Sequence, residues 1–135
     1  MKLITRDTDY ALRALTYIAR VEKKTVTADD LVKRFKMPRP FLRKILQILN
    51  KRNVLNSFRG KKGGFVLAKP AGSIFVVDIM RIFQGPVRLS EHIFKNKVCP
   101  RIKVCVLKKK LDAIEKQVIK ELKAISIDSL ARDVK

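Results

Sequence analysis

FLRKILQILNKRNVLNSFRGKKGGFVLAKP, residues Phe41 to Pro70, changes periodicity part-way along, and that change decides the fold. In its first half Phe41, Leu42, Ile45, Leu46, Ile48 and Leu49 recur at helical spacing, which predicts a helix running to about Asn53. The second half holds two short apolar runs, about Val54 to Phe58 and Phe65 to Ala68, which read as paired strands. Between them lies a tip of glycine, lysine and arginine. From Leu55 to Pro70 there are four basic residues, three glycines and no acidic residue. Glycines at such a tip let the backbone adopt positive φ and lie close to a phosphate or a groove wall. A helix followed at once by a basic, glycine-tipped hairpin is what a winged helix-turn-helix requires.

Upstream of this stretch the helix pair can be located. Thr27 with Asp30 three residues later forms a capping box that opens a short helix to Phe35. Around Val32, the residues Leu31, Phe35, Met37, Leu42 and Ile45 are all apolar at the positions that must be buried where two helices cross through a tight turn. Pro38 and Pro40 suit only the entrance of the second helix. Lys36 occupies the turn site often taken by glycine, which would cost on the order of 1 kcal/mol if that site is left-handed.

Charge singles out the same region. The chain has 32 Lys and Arg against 12 Asp and Glu, a formal net charge of +20 over 135 residues. Every acidic residue lies outside the interval Leu31 to Val77, whereas twelve basic residues lie inside it. A one-sign block threaded by apolar periodicity reads as the footprint of a polyanion, because an ordinary solvated surface mixes signs. The first turn of the helix from about Phe41 would enter a major groove. That makes Arg39, Arg43 and Lys44, with Pro40 at the entrance, the candidates for base-edge or phosphate contact. Arg59 is the tip residue suited to a narrow minor groove, and Gly60, Lys61 and Lys62 suit the phosphate backbone.

The remaining sequence gives the frame. Tyr10, Ala14, Tyr17, Ile18 and Val21 predict a first helix over about residues 5–22. IFVVDIMRIFQG reads as a fourth helix closed by Gly85 and Pro86. Residues 87–104 have weak periodicity and read as a loop. From Cys105, Leu107, Leu111, Ile114, Val118, Leu122 and Ile125 form one apolar stripe on a helix of about five turns. The expected fold is therefore mainly α with a small β-hairpin. It comprises a winged helix-turn-helix over 1–86, a loop over 87–104, and a long apolar-striped helix with a C-terminal tail over 105–135.

Several function classes are excluded. GKKGG lacks the spacing and trailing Lys-Ser/Thr of a nucleotide phosphate loop, and no dinucleotide glycine fingerprint is present. One His, two Cys and no usefully spaced carboxylate pair leave little for acid-base or nucleophilic catalysis, so no enzyme is expected. The N-terminal stretch is broken by Arg6, Asp7, Asp9 and Arg13, which fits neither a signal peptide nor a membrane span, and the expected location is cytoplasmic.

YALRALTYIA near the start, the helix and wing from Phe41 to Pro70, and IFVVDIMRIFQG together resemble the Rrf2 family of bacterial winged-helix repressors. Iron-sulfur, nitric-oxide and cysteine-metabolism regulators belong to it. The resemblance covers about residues 1–130, and its most specific part is the wing, arginine-glycine-x-x-glycine-glycine. It implies a homodimer joined through the long C-terminal helix, binding palindromic double-stranded DNA with two wings, which makes 87–104 a sensor-type loop and 105–135 a dimerisation helix and C-terminal tail. Cluster-binding members carry three cysteines before and at the start of that helix. Cys105 matches the last and Cys99 the middle one, but Ile93 stands in place of the first, with His92 adjacent as a substitute ligand. An iron-sulfur cluster, thiol redox sensing and non-sensory cysteines stay open as three readings. The overall expectation is a sequence-specific, dimeric transcriptional repressor, responsive to redox, iron-sulfur status or a small ligand. The alternative is an RNA-associated or ribosome-associated basic protein.

Overall fold

The computed structural model describes residues 3–21, 25–61, 63–89 and 106–133. Six helices and one hairpin follow in the order α1 (Arg6–Arg20), α2 (Ala28–Phe35), α3 (Arg39–Lys51), β1 (Leu55–Phe58), β2 (Gly64–Leu67), a 3-10 turn (Ala71–Ser73), α4 (Val76–Gln84), α5 (Val106–Lys123) and α6 (Ile127–Asp133). Thr5 caps α1, its hydroxyl accepting from the Thr8 amide, and Asp7 and Asp9 in the first turn complement the helix dipole. Ala11, Ala14, Leu15 and Ile18 of α1 are buried at the centre of a core that also takes Leu31, Leu42, Leu46 and Leu49 from the helix pair and Ile79 and Met80 from α4.

β1 and β2 pair antiparallel, Leu55 opposite Leu67 and Phe58 opposite Gly64. A third strand-like segment joins them: Val26 and Phe65 exchange both backbone hydrogen bonds, at 3.0 and 2.8 Å. The tip-side end of the ladder, where Phe65 stands opposite Ser57, is thereby tied to the residues just before α2, and only the Phe58–Gly64 pair and the turn lie beyond it.

The C-terminal segment read from sequence as a tail is part of the folded unit. After α5, the Val76 amide donates to Ile125 O at 2.9 Å and the Ile127 amide donates to Ile74 O at 2.8 Å. Ser126 and Ser129 cap α6 reciprocally. Ile127 is 0% exposed, and α6 lies against α1. The steps of three and four residues that predicted one continuous stripe could not show this, because the partner surface on α1 and α4 lies far away in sequence.

The stripe on α5 accordingly divides. Leu122 is buried, and Val118 and Ile125 are partly buried, in the protomer's own core, Ile125 standing beyond the end of α5. Leu107 and Ile114 remain 67% and 52% exposed, with Val106 exposed beside them and Leu111 half-buried between. Lys62, His92, Cys99 and Cys105 lie outside the described residues.

Candidate nucleic-acid interface

The helix-turn-helix is built by backbone chemistry at its corner. The Thr27 amide donates to Asp30 Oδ2 at 3.0 Å and the Asp30 amide to Thr27 Oγ1 at 3.1 Å, closing the capping box that starts α2. At the other end Lys36 is left-handed (φ 55°, ψ 33°) and its amide donates to Val32 O at 2.8 Å. A lysine there carries a Cβ penalty of about 1 kcal/mol that glycine would avoid. Burial of Leu31, Met37, Leu42 and Ile45 on either side of the turn holds the crossing in place. Pro38 is the N-cap of α3 and Pro40 lies in its first turn, where missing amide donors leave no bond unmade.

With Leu42, Ile45, Leu46 and Leu49 turned inward, α3 shows Pro40, Arg43, Lys44, Gln47 and Lys51 to solvent. Arg43 and Lys44 make no ion pair among the described residues. Arg39 differs. Its guanidinium pairs with the Asp29 carboxylate, which returns across the turn from the start of α2. The acid-free interval begins two residues after Asp29, so linear charge counting hid this partner. Both side chains are about half exposed, and such a pair contributes about 1 kcal/mol or less. In this structure Arg39 is therefore paired with the start of α2 and is not a free cation.

Gln47 is a residue the sequence reading passed over. It lies one turn beyond Arg43 on the exposed side of α3, and its amide carries both a donor and an acceptor, the pair needed to read adenine. The i, i+4 spacing from Arg43 was the available signal. Arg6 is a second such residue. Its guanidinium lies 4.7 Å from the centroid of the Phe41 ring, and Tyr10 meets that ring edge-on at 5.6 Å, so a cation of α1 is held beside the first turn of α3. No local pattern in the sequence brings Arg6 and Phe41 together.

The chain leaves α3 through Asn53, left-handed at φ 61°, while the Val54 amide donates to Leu49 O at 3.0 Å and delivers the backbone into β1. Asparagine tolerates that conformation better than most residues. At the tip of the wing Arg59, Gly60 and Lys61 are exposed, and Phe58 beside them is 53% exposed. Gly60 takes φ 103° with open space where a Cβ would stand. Gly64 takes φ 147°, and a Cβ there would lie 2.8 Å from Val26 O. One glycine therefore shapes the tip, and the other lets the third strand segment close on the hairpin.

The sequence profile of Rrf2, described as an iron-dependent transcriptional regulator, matches residues 4–133. The chain belongs to the Rrf2 family. A relative from Aquifex aeolicus, assigned by name as an HTH-type transcriptional regulator, is 32% identical over 123 residues, covering 90% of this chain and 85% of that protein. Among solved structures, CymR, the global cysteine regulator of B. subtilis, superposes with TM-score 0.86 at 20% identity over the whole of both chains. IscR of T. potens superposes with TM-score 0.78 at 21% identity, covering all of this chain and 89% of that one. These two show the winged-helix fold. As an Rrf2 protein the chain is a DNA-binding transcriptional regulator and not an enzyme, and the RNA-associated reading gives way to that membership. Among the described residues no helix is long and apolar enough to cross a membrane.

The iron in the family's description can be tested against the donor set. The whole chain has two cysteines and one histidine, which supply two thiolates and one imidazole. A two-iron two-sulfur cluster takes four protein ligands. Among the described residues no group of three or more His, Cys, Asp or Glu stands close enough to hold a metal. The chain's cysteines and histidine do not complete such a set by themselves.

Proposed function

We propose that this Rrf2 protein acts as a homodimeric repressor on a palindromic operator. In this reading α3 of each protomer lies in a major groove, with Arg43 and Lys44 on base edges or phosphates and Arg39 released from Asp29 toward the backbone. Arg59 enters the adjacent minor groove, while Gly60, Lys61 and Lys62 follow the phosphates. The observation that carries it is the pairing of a solvent-facing basic helix with an uncovered basic tip. Arg43, Lys44, Arg59 and Lys61 are exposed and without ion pairs among the described residues. Leu107, Leu111 and Ile114 on α5 supply the apolar strip for a second copy. Residues 87–104 take the role of sensor loop. Of the signals open to it, the ligand shortfall weighs against a cluster and leaves the thiols of Cys99 and Cys105 or a small ligand.

The test is a titration of the full chain against a palindromic duplex that it has itself selected from a random-sequence pool. Affinity should fall by about a thousandfold or more between about 50 and 200 mM salt. Arg59→Ala should weaken binding and relax preference for A·T pairs flanking the half-sites. Unchanged affinity and preference in that variant would exclude the wing from the interface. Ile114→Asp should convert the chain to a monomer by light scattering, and a dimer that persists would exclude α5 as the seam.

A further inference from the structure

A cleft of about 410 Å³ between α1, the end of α2 and α6 takes no part in the interface described above. Its volume is in the range of small-molecule sites, roughly 300–1,000 Å³. Leu12, Tyr17, Phe35 and Leu130 give it apolar walls, and Tyr17 and Phe35 meet edge-on with ring centroids 5.9 Å apart. Three arginines, Arg13, Arg20 and Arg34, stand around it against one acid, Asp9. Arg13 is paired to Asp9 at 3.0 Å, and Arg20 Nε donates to Ala131 O at 3.3 Å. Arg34, exposed on the last turn of α2, forms no ion pair among the described residues. The lining is thus aromatic and aliphatic at its walls and cationic at its mouth.

We propose that this cleft binds a small organic carboxylate with a flat apolar body, and that its occupancy changes the affinity for DNA. A guanidinium matches a carboxylate through two parallel hydrogen bonds, and the neighbouring rings accept a planar apolar group. A bare inorganic anion would leave those rings unfilled. A neutral molecule of the same shape would leave Arg34 without its partner. The route to DNA is short: Phe35 ends α2, the next residue is the left-handed Lys36, and α3 begins three residues later. A body wedged between Tyr17 and Phe35 moves α2 against α1 and carries α3 with it. Couplings between two such sites commonly run to about 5–150-fold. This second half rests on the DNA-binding reading, whereas ligand binding by itself does not.

The full-length chain is titrated by calorimetry with sodium benzoate and sodium 2-naphthoate, beside 2-naphthamide and inorganic phosphate. The expected result is saturable binding of at least one carboxylate, with the amide and phosphate weaker by about tenfold or more. Arg34→Gln, at an exposed helix end, should weaken carboxylate binding by a similar factor with an unchanged melting temperature, and Arg34→Lys should restore part of it. Failure of both carboxylates to bind, equal binding of acid and amide, or wild-type binding by Arg34→Gln would overturn the site. Saturable binding that leaves affinity for the selected duplex unchanged would overturn the coupling. Failure of the unliganded chain to bind any duplex would count against the repressor reading and leave the site standing.

Discussion

Gly64→Ala gives the sharpest test of how the wing is held. At φ 147° an alanine is strained, at a cost of about 1–2 kcal/mol. Its Cβ would also stand 2.8 Å from Val26 O and 3.0 Å from the Val26 carbonyl carbon. Those are backbone atoms, and they are fixed by the two hydrogen bonds between Val26 and Phe65, so the clash can be relieved only by parting that bridge. Losing two such bonds costs about 1 kcal/mol each. Alanine restricts the unfolded chain and returns roughly 0.5 kcal/mol. The expected destabilisation is about 2.5–3.5 kcal/mol. For a domain of this size that lowers the melting temperature by about 8–14 °C. Gly60→Ala is the matched control, because its φ of 103° is strained but nothing lies within 4 Å of the added carbon. It should cost only the strain less the same unfolded-chain return, about 0.5–1.5 kcal/mol. Thermal unfolding followed by circular dichroism measures both. If the two variants melt together, the contact with Val26 contributes nothing, and the three-segment account of the wing fails.

Ile127→Ala should destabilise the chain by about 2–5 kcal/mol, since the side chain is fully buried and α6 closes the core against α1; a loss under about 1 kcal/mol in denaturant titration would return α6 to the status of a tail. Lys36→Gly removes a left-handed Cβ and should raise stability by up to about 1 kcal/mol, and a lower melting temperature would show that the turn is not strained as described. Gln47→Ala should lose about 1–3 kcal/mol of discrimination at one base pair while leaving the salt slope unchanged, measured by titrating single-substitution variants of the selected duplex. An equal loss on every duplex would make Gln47 a backbone contact.

Local sequence carried a large part of this molecule. The capping box at Thr27 and Asp30, the prolines at the entrance of α3 and the hairpin are decided by bonds between residues a few positions apart, so their residue types announce them. The apolar stripe of α3 likewise named its buried side, and with it the outward Arg43 and Lys44. Those same rules also placed the left-handed site at Lys36. Periodicity, capping and turn chemistry act over distances that a short window contains, and for that reason they survive reading in one dimension.

What tertiary structure decided is every relation that spans the chain. Asp29 beside Arg39, Arg6 over Phe41 and the Val26 bridge that forbids a side chain at Gly64 depend on how separate elements pack, which no local periodicity records. The division of the α5 stripe is of the same kind. Leu107 and Leu122 have equal hydrophobicity, yet Leu107 is 67% exposed while Leu122 is buried in the core, on a helix that packs against α4. An apolar residue states that it must be covered; which surface covers it is settled by where the rest of the chain comes to lie.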